Sequence, residues 1–298
     1  MNSIEKFCRE IGMPEEECEV LGAAYLKVAE IKEVYDVMKA CVAVYEHNTD
    51  FEHKPIFEKI ESLSGKAGLH KYTLDLVYMI MLVPHLKELY TENGISEDVL
   101  RDSVADLKWK SAECKKVYGV WGIFVGWWTI DFFKLKRFAF GRLQFNMGKF
   151  NADYNISGEA VKKEDIYIDT HIPSGKPLNY EECQLSYKCA AEFYKNTFKG
   201  APIIFGCNSW LLSTDNKKIL PETSNILKFA SDYEVLEQVK DEKSTDAWRI
   251  FNVEKLPERL DDLPQETSMQ RAFAKWLKAG NTIDEAFGAF IYPHRFRK

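Results

Sequence analysis

The sequence reads as an α+β chain: a helical bundle over residues 1–133, then a mixed α/β sheet domain over residues 134–298. Three observations predict this. Apolar residues from Leu21 to Tyr45 recur in alternating steps of three and four, the spacing of one helical stripe. After Phe133 strand-like and helix-like segments alternate, and Asp165–Ile172 has a clean period of two. With 298 residues, 46% hydrophobic and 29% charged, the chain is long enough for two modest cores and is not a disordered composition.

In the first part, Pro14 with Glu15–Glu17 opens a helix, since proline fits a first turn and acids suit the positive dipole end. The stripe Leu21, Ala24, Val28, Ile31, Tyr35, Met38, Val42, Tyr45 then predicts one long helix in a bundle. A second helix is expected over Thr73–Tyr90, kinked at Pro84, and a third from the N-cap Ser96 to Tyr118. Val117–Phe133, with Trp121, Trp127 and Trp128, predicts a buried helix. Its Gly119, Gly122 and Gly126 would share one face and admit another backbone closely.

The second part has a different grammar. Phe138–Phe145 predicts a strand bent at Gly141. In Asp165–Ile172, Tyr167, Asp169 and His171 share one face, with Ile166, Ile168, Thr170 and Ile172 on the other. A helix follows from the N-cap Asn179 to about Asn196, then a strand from Pro202 to Cys207 or Leu212. A helix near Pro221–Tyr233, a charged loop at Val239–Asp246 and a strand at Ala247–Val253 come next. Thr267 and Gln270 make a capping box for a helix closed by Gly280, and Ala286–Tyr292 is the last strand.

Composition narrows the function. The net charge of −6 disfavours a polyanion partner, and the basic end Arg295–Lys298 is too short to reverse it. Seven cysteines without a Cys-x-x-Cys pair read as reduced thiols in a cytoplasmic protein. Neither a signal peptide nor an apolar run long enough for a membrane span is apparent. The histidines are scattered, so no metal is expected; His47 and His53 read as a solvated loop. Phosphate-loop, dinucleotide, zincin and nucleophile-elbow motifs do not occur.

The informative segment is Asp169-Thr170-His171-Ile172-Pro173 with Ser174-Gly175-Lys176 after it. Ligands gather where strands end in α/β sheets, and a glycine loop before a helix offers amides to an anion. His171 and Asp169, about 7 Å apart along the strand, would place a base beside such a ligand. The same residues also read as a helix-capping loop with a surface histidine. Arg142 and Gln144 face either a cleft or solvent from an edge strand. Cys207 is either a nucleophile with His171 as its base or a buried structural thiol.

Several stretches together carry a resemblance: Gly141-Arg142-Leu143-Gln144-Phe145, His171-Ile172-Pro173-Ser174-Gly175-Lys176-Pro177-Leu178, Cys207-Asn208-Ser209-Trp210-Leu211-Leu212, Ser224-Asn225-Ile226, and Leu263-Pro264 with Thr267-Ser268-Met269-Gln270-Arg271-Ala272. In their order the chain resembles a bacterial two-domain acyltransferase family, with a helical N-terminal acyltransferase domain and a GNAT-like C-terminal domain. The resemblance implies an acyl-CoA-dependent N-acyltransferase, with acyl-CoA as co-substrate and a small amine or amino acid as acceptor. Neither nucleic acid nor membrane is an implied partner, and the oligomeric state is left open. It implies that the pantetheine arm lies where the strands Asp165–Ile172 and Ile203–Cys207 part, just beyond Pro173, touching Ile172 and Cys207. The diphosphate would rest on Ser174, Gly175, Lys176 and the helix start at Asn179; the superfamily's usual loop has a further small residue where this chain has Gly175 alone. His171 would be the base with Asp169 beside it, Ser209 or Tyr233 would protonate the thiolate, and Arg142 and Gln144 would orient the acceptor. The alternatives are a non-catalytic acyl-CoA or metabolite-binding module, and a cysteine amidase built on Cys207 and His171.

Overall fold

The computed structural model describes residues 1–293; His294 and the basic end Arg295–Lys298 lie outside the described residues. The chain forms two compact units, Met1–Ala139 with Pro173–Gly175, and Phe140–Ile172 with Lys176 onward.

The first unit is helical: α1 (Ser3–Glu10), α2 (Glu15–Glu30), α3 (Lys32–His47), α4 (His53–Glu61), α5 (Ser64–Ala67), α6 (Lys71–Glu92), α7 (Glu97–Val104), α8 (Asp106–Tyr118) and α9 (Gly126–Phe133). Its centre is α6, where the run from Leu74 to Ile80 is buried on every side, as a helix surrounded by other helices requires. It continues through Pro84 to Glu92. The stripe from Leu21 to Tyr45 faces the core, but it spans two helices. Ile31 is extended (φ −96°, ψ 92°), and the apolar spacing runs on across the break because both helices bury the same side. The helix expected from Ser96 divides at Ala105, with Ser96 capping α7 through the Val99 amide.

Val117–Phe133 is not one helix: Val117 and Tyr118 end α8, and α9 starts only at Gly126. Gly119 takes φ +76° and ends α8, because glycine enters the left-handed region without penalty. The close approach expected of the glycines is present: a Cβ on Gly122 would sit 2.5 Å from the Tyr72 carbonyl carbon. Beside it the Ile123 amide donates to the Tyr72 carbonyl at 2.9 Å, and the Thr73 hydroxyl donates to the Trp121 carbonyl at 2.7 Å. Four carboxylates are buried in this unit: Glu17 on α2, Asp75 on α6, and Asp106 and Glu113 on α8. Burial pushes Asp75 up to about 8 and Glu17 up to about 7. Among the described residues, no helix is long and apolar enough to cross a membrane.

The strands are β1 (Arg137–Phe140), β2 (Leu143–Lys149), β3 (Tyr154–Ile156), β4 (Glu159–Val161), β5 (Ile166–His171), β6 (Ile203–Ser209), β7 (Glu234–Val239) and β8 (Glu285–Tyr292). Within the second unit the main sheet runs β2-β5-β6-β8-β7, and β3–β4 is a separate hairpin. Only β5 and β6 are parallel among these neighbours. The helices are α10 (Tyr180–Tyr194), α11 (Asn216–Ile219), α12 (Asn225–Ala230), α13 (Ala247–Phe251) and α14 (Ser268–Lys278). Asn179 caps α10 by accepting from the Glu182 amide at 3.0 Å, and the Thr267–Gln270 capping box opens α14.

Phe138–Phe145 is not one bent strand. Gly141, at φ +64°, turns the chain between β1 and β2. Ala247–Val253 is helical rather than extended; Ala247, Ile250 and Phe251 are its buried residues, spaced for a helix. A strand that charge conceals, β7, pairs with β8 along an edge.

The sheet buries both faces. On one, Phe145, Ile168, Phe205 and Phe290 pack with Tyr187 of α10. On the other, Phe150, Tyr154, Tyr167 and Phe287 pack with Ile204 and the β3–β4 hairpin. There the Tyr167 ring lies over two glycines. A Cβ on Gly148 of β2 or on Gly206 of β6 would come within 2.5 Å of it.

Candidate active site

The chemistry-bearing residues collect on the Tyr167 face of the sheet. In the antiparallel β2–β5 ladder Gln144 stands opposite His171, Asn146 opposite Asp169 and Gly148 opposite Tyr167. Directly opposed residues point the same way, so Gln144, Asn146, Asp169 and His171 share one face. His171 Nε2 is 2.5 Å from Asn146 Oδ1 and 3.3 Å from Asp169 Oδ2. The His171 and Asp169 side chains are 19% and 21% exposed, dry enough to strengthen their attraction yet open enough to meet a ligand.

The second element of the site is a gap. The β5–β6 ladder pairs Ile168 with Phe205 and Asp169 with Gly206, and stops there. Both strands continue, β5 to His171 and β6 to Ser209, each held on its far side: His171 opposite Gln144, and Ser209 opposite Ala286. The strands therefore part after Asp169, earlier than the sequence suggested, and Pro173 has no amide with which to resume the ladder. Beyond that point Thr170–His171 and Cys207–Asn208 are not paired with one another in the ladder.

The same register corrects several expectations. Parallel partners point the same way, so Cys207 follows Phe205 onto the face opposite His171. Cys207 is fully buried, and burial, with Asp169 adding to it, pushes its thiol well above the ordinary range. The Cys207–His171 pair does not form, and a neutral enclosed thiol is no nucleophile. The cysteine-amidase reading fails, and the Cys207 side chain belongs to the core. Ser209 lies on the Cys207 side, where its Oγ accepts from the Leu211 amide at 3.2 Å and caps the turn at Trp210–Leu212. Tyr233 is enclosed with its hydroxyl 2.9 Å from that of Tyr187, and burial raises both phenols well above their ordinary value.

Arg142 does not look out from the sheet. It is 6% exposed; its Nε donates to the Pro177 carbonyl and its Nη2 to the Lys176 carbonyl, both at 3.0 Å. It fastens the chain after β5 and is not a residue that orients an acceptor. Gln144 is buried beside His171. Ile172 packs with the cluster around Trp210 and Phe273. Ser174, Gly175, Lys176 and Asn179 are exposed. Gly175 has φ +96°, and a Cβ there would enter the Trp109 ring at 2.0 Å, so the position demands glycine twice over. The start of α10 carries Glu181 and Glu182 and spends its Glu182 amide on Asn179, so positive charge for an anion comes from Lys176. Asn146 is the residue that sequence reasoning missed; it lies two positions beyond Gln144, just past the expected strand end.

Comparison with known proteins gives the family. Residues 138–290 match the model of a GNAT-like C-terminal domain, and residues 2–135 that of an N-acyltransferase N-terminal domain. The chain belongs to this two-domain acyltransferase family. Its fold is shared with solved acyltransferases. One, crystallised with CoA and 10C-teicoplanin, is 20% identical with a TM-score of 0.77, over 98% of this chain and 88% of that one. A mutant acyltransferase in complex with octanoyl-CoA is 20% identical with a TM-score of 0.76, over 97% and 88% of the two chains. An acyltransferase bound to decanoyl-CoA and teicoplanin has a TM-score of 0.73 at 20% identity, over 97% and 88%. A search of curated proteins finds no match.

Proposed function

We propose that this acyltransferase moves an acyl group from acyl-CoA to the amine of a small-molecule acceptor, with the thioester arm in the β5–β6 gap and His171 as the base. The observation that carries this is the early end of the β5–β6 ladder, with Asn146, Asp169 and His171 gathered on one face beside it. The amide-bearing pantetheine arm suits a space edged by backbone N–H and C=O groups. The solved relatives in fold were crystallised with CoA, octanoyl-CoA and decanoyl-CoA, one of them also with 10C-teicoplanin and one with teicoplanin. Ser174, Gly175, Lys176 and the start of α10 are the proposed diphosphate seat.

His171 takes the proton of the acceptor ammonium, and Asp169 at 3.3 Å faces the imidazolium that results. The freed amine attacks the thioester carbonyl; the C–N bond forms, the C–S bond breaks, and the thiolate leaves to be protonated. A backbone amide on the parted edge near His171 receives the developing oxyanion. Gln144 is the proposed acceptor-orienting residue. A thermal-shift series with CoA and acyl-CoAs of increasing chain length tests the binding half, since a ligand at a hundredfold its Kd stabilises by about 2.7 kcal/mol. His171→Ala should keep that shift and lose acyl transfer to a panel of primary amines. The absence of any shift with every CoA ester, or full transfer by His171→Ala, refutes the reading.

A further inference from the structure

A second polar pair stands on the His171 face, on the other strand of the interrupted ladder. Asn208 lies two residues beyond Gly206, as His171 lies two beyond Asp169. Alternation puts Asn208 on the face of Gly206, which the Tyr167 ring covers, so Asn208 and His171 rise from one side of the sheet where their strands have stopped pairing. Asn208 is exposed. Its Nδ2 donates to Oε2 of Glu285, on the neighbouring strand β8, at 3.1 Å. That bond settles how the amide is turned. Burial, and then the Asp246 charge, hold the Glu285 carboxyl above the ordinary carboxylate range, and Asp246 is itself met by Arg249 Nε at 2.7 Å. Whether Glu285 is ionised or carries a proton toward Asp246, its Oε2 accepts from Asn208. Asn208 Oδ1 is therefore turned away from Glu285, and it has no hydrogen-bond partner among the described residues.

We infer that Asn208 Oδ1 binds the acceptor's nitrogen and selects an amine over an alcohol. This rests on the proposed function. An ammonium group carries three protons. His171 takes one. A second is shed as the C–N bond forms and the C–S bond breaks, and it balances the departing thiolate. The third remains as the N–H of the amide product, and Asn208 Oδ1 accepts from it throughout. A hydroxyl has a single proton, which the base takes, so nothing is left to donate to Asn208. A site built around a substrate N–H rejects the analogue that lacks it, because the site's own acceptor then goes unpaired; the exposure of Asn208 lets water soften that penalty. Glu285 is a positioning residue. It touches Asn208 rather than the acceptor, and it keeps the amide from presenting its NH2 end.

The test is acyl transfer by the full-length protein from one acyl-CoA to primary amines and to alcohols of the same carbon skeleton. Intrinsic nucleophilicity enters every ratio alike, so the reading is the change on mutation. Asn208→Leu should lower the amine-to-alcohol ratio of kcat/KM by about tenfold or more, mainly through KM for the amine, with KM for acyl-CoA within about twofold. These quantities do not depend on how much of the enzyme is folded. Asn208→Asp combined with Glu285→Gln reverses the pair, keeps its hydrogen bond and still turns an oxygen outward. It should bring kcat/KM for the amine back to within about threefold of wild type. An amine-to-alcohol ratio that does not move in Asn208→Leu overturns the inference. So does a rise in KM for acyl-CoA in place of that for the amine, or a reversed pair no better than Asn208→Leu. If His171→Ala transfers to amines normally while Asn208→Leu still loses its preference, the base assignment fails and the Asn208 contact stands.

Discussion

Asp75 gives the helical unit a pH dependence that can be calculated. The side chain is 3% exposed, its Oδ1 has no hydrogen-bond partner among the described residues, and burial lifts it from its ordinary 3.8 to about 8. Glu61 adds to the rise and Lys71 offsets part of it. Because the folded value is raised, the folded state holds the proton more tightly than the unfolded chain. The stabilising contribution is complete below the unfolded value and is lost as pH climbs toward the folded one. From pH 5 to pH 7 the unfolded Asp75 is ionised and the folded one neutral, so each pH unit costs about 1.4 kcal/mol, and the interval costs about 2.7 kcal/mol. Asp75→Asn removes this titration. It carries its own constant penalty for an amide in the same place, which cancels when one protein is compared at two pH values. Urea unfolding of both proteins at pH 5 and pH 7 should show the variant gaining on the wild type by roughly 2–3 kcal/mol as pH rises. Other buried acids, Glu17 among them, are common to both proteins and drop out. A wild-type-to-variant difference that stays constant across those two pH values refutes the burial argument.

Three further outcomes follow from the contacts above. Gly122→Ala drives a methyl into the Tyr72 backbone and should destabilise the helical unit by about 1–3 kcal/mol or more, read by thermal melts. Cys207→Ala should leave acyl transfer within about twofold and cost roughly 1 kcal/mol of stability for the small cavity; abolished turnover would restore the thiol to the chemistry. Arg142→Ala strips the Lys176 and Pro177 carbonyls of a charged donor and should cost about 1.5–3 kcal/mol of stability, while KM for acyl-CoA rises more than kcat falls; an unchanged melting temperature would show the contacts to be idle.

What was legible in the sequence was local. Asn179 and Thr267 announce their helices because an N-cap bond closes within three residues, and β5 declares its faces because its side chains alternate without a break. His171, Asp169 and Gln144 were thus read onto the right strands. Ala247–Val253 misled because a short apolar run spaced i, i+3, i+4 satisfies a helix as well as a strand. The edge strand β7 was hidden by Glu234 and Glu237, which are half-buried and accept from Ser157 and Tyr154 at the β3–β4 hairpin, partners its own sequence does not show. Cys207 was misplaced for a different reason. Which face it takes relative to His171 depends on the β5–β6 register, a pairing between segments more than thirty residues apart that neither strand's own pattern encodes. Asn146 escaped because β2 runs on past Phe145 to Lys149, where pairing with β5 rather than propensity sustains it.

The tyrosine that spans Gly148 and Gly206 ties three strands of the sheet together. Its ring bridges β2, β5 and β6 beside the last paired residue of β6, backed by Phe150 at 4.8 Å and Phe287 at 5.6 Å between ring centres. The ring thus holds three strands together on one face, at the level where β5 and β6 are paired. Neither glycine can acquire a side chain unless that ring shrinks in step, so the three positions should vary as a set or not at all.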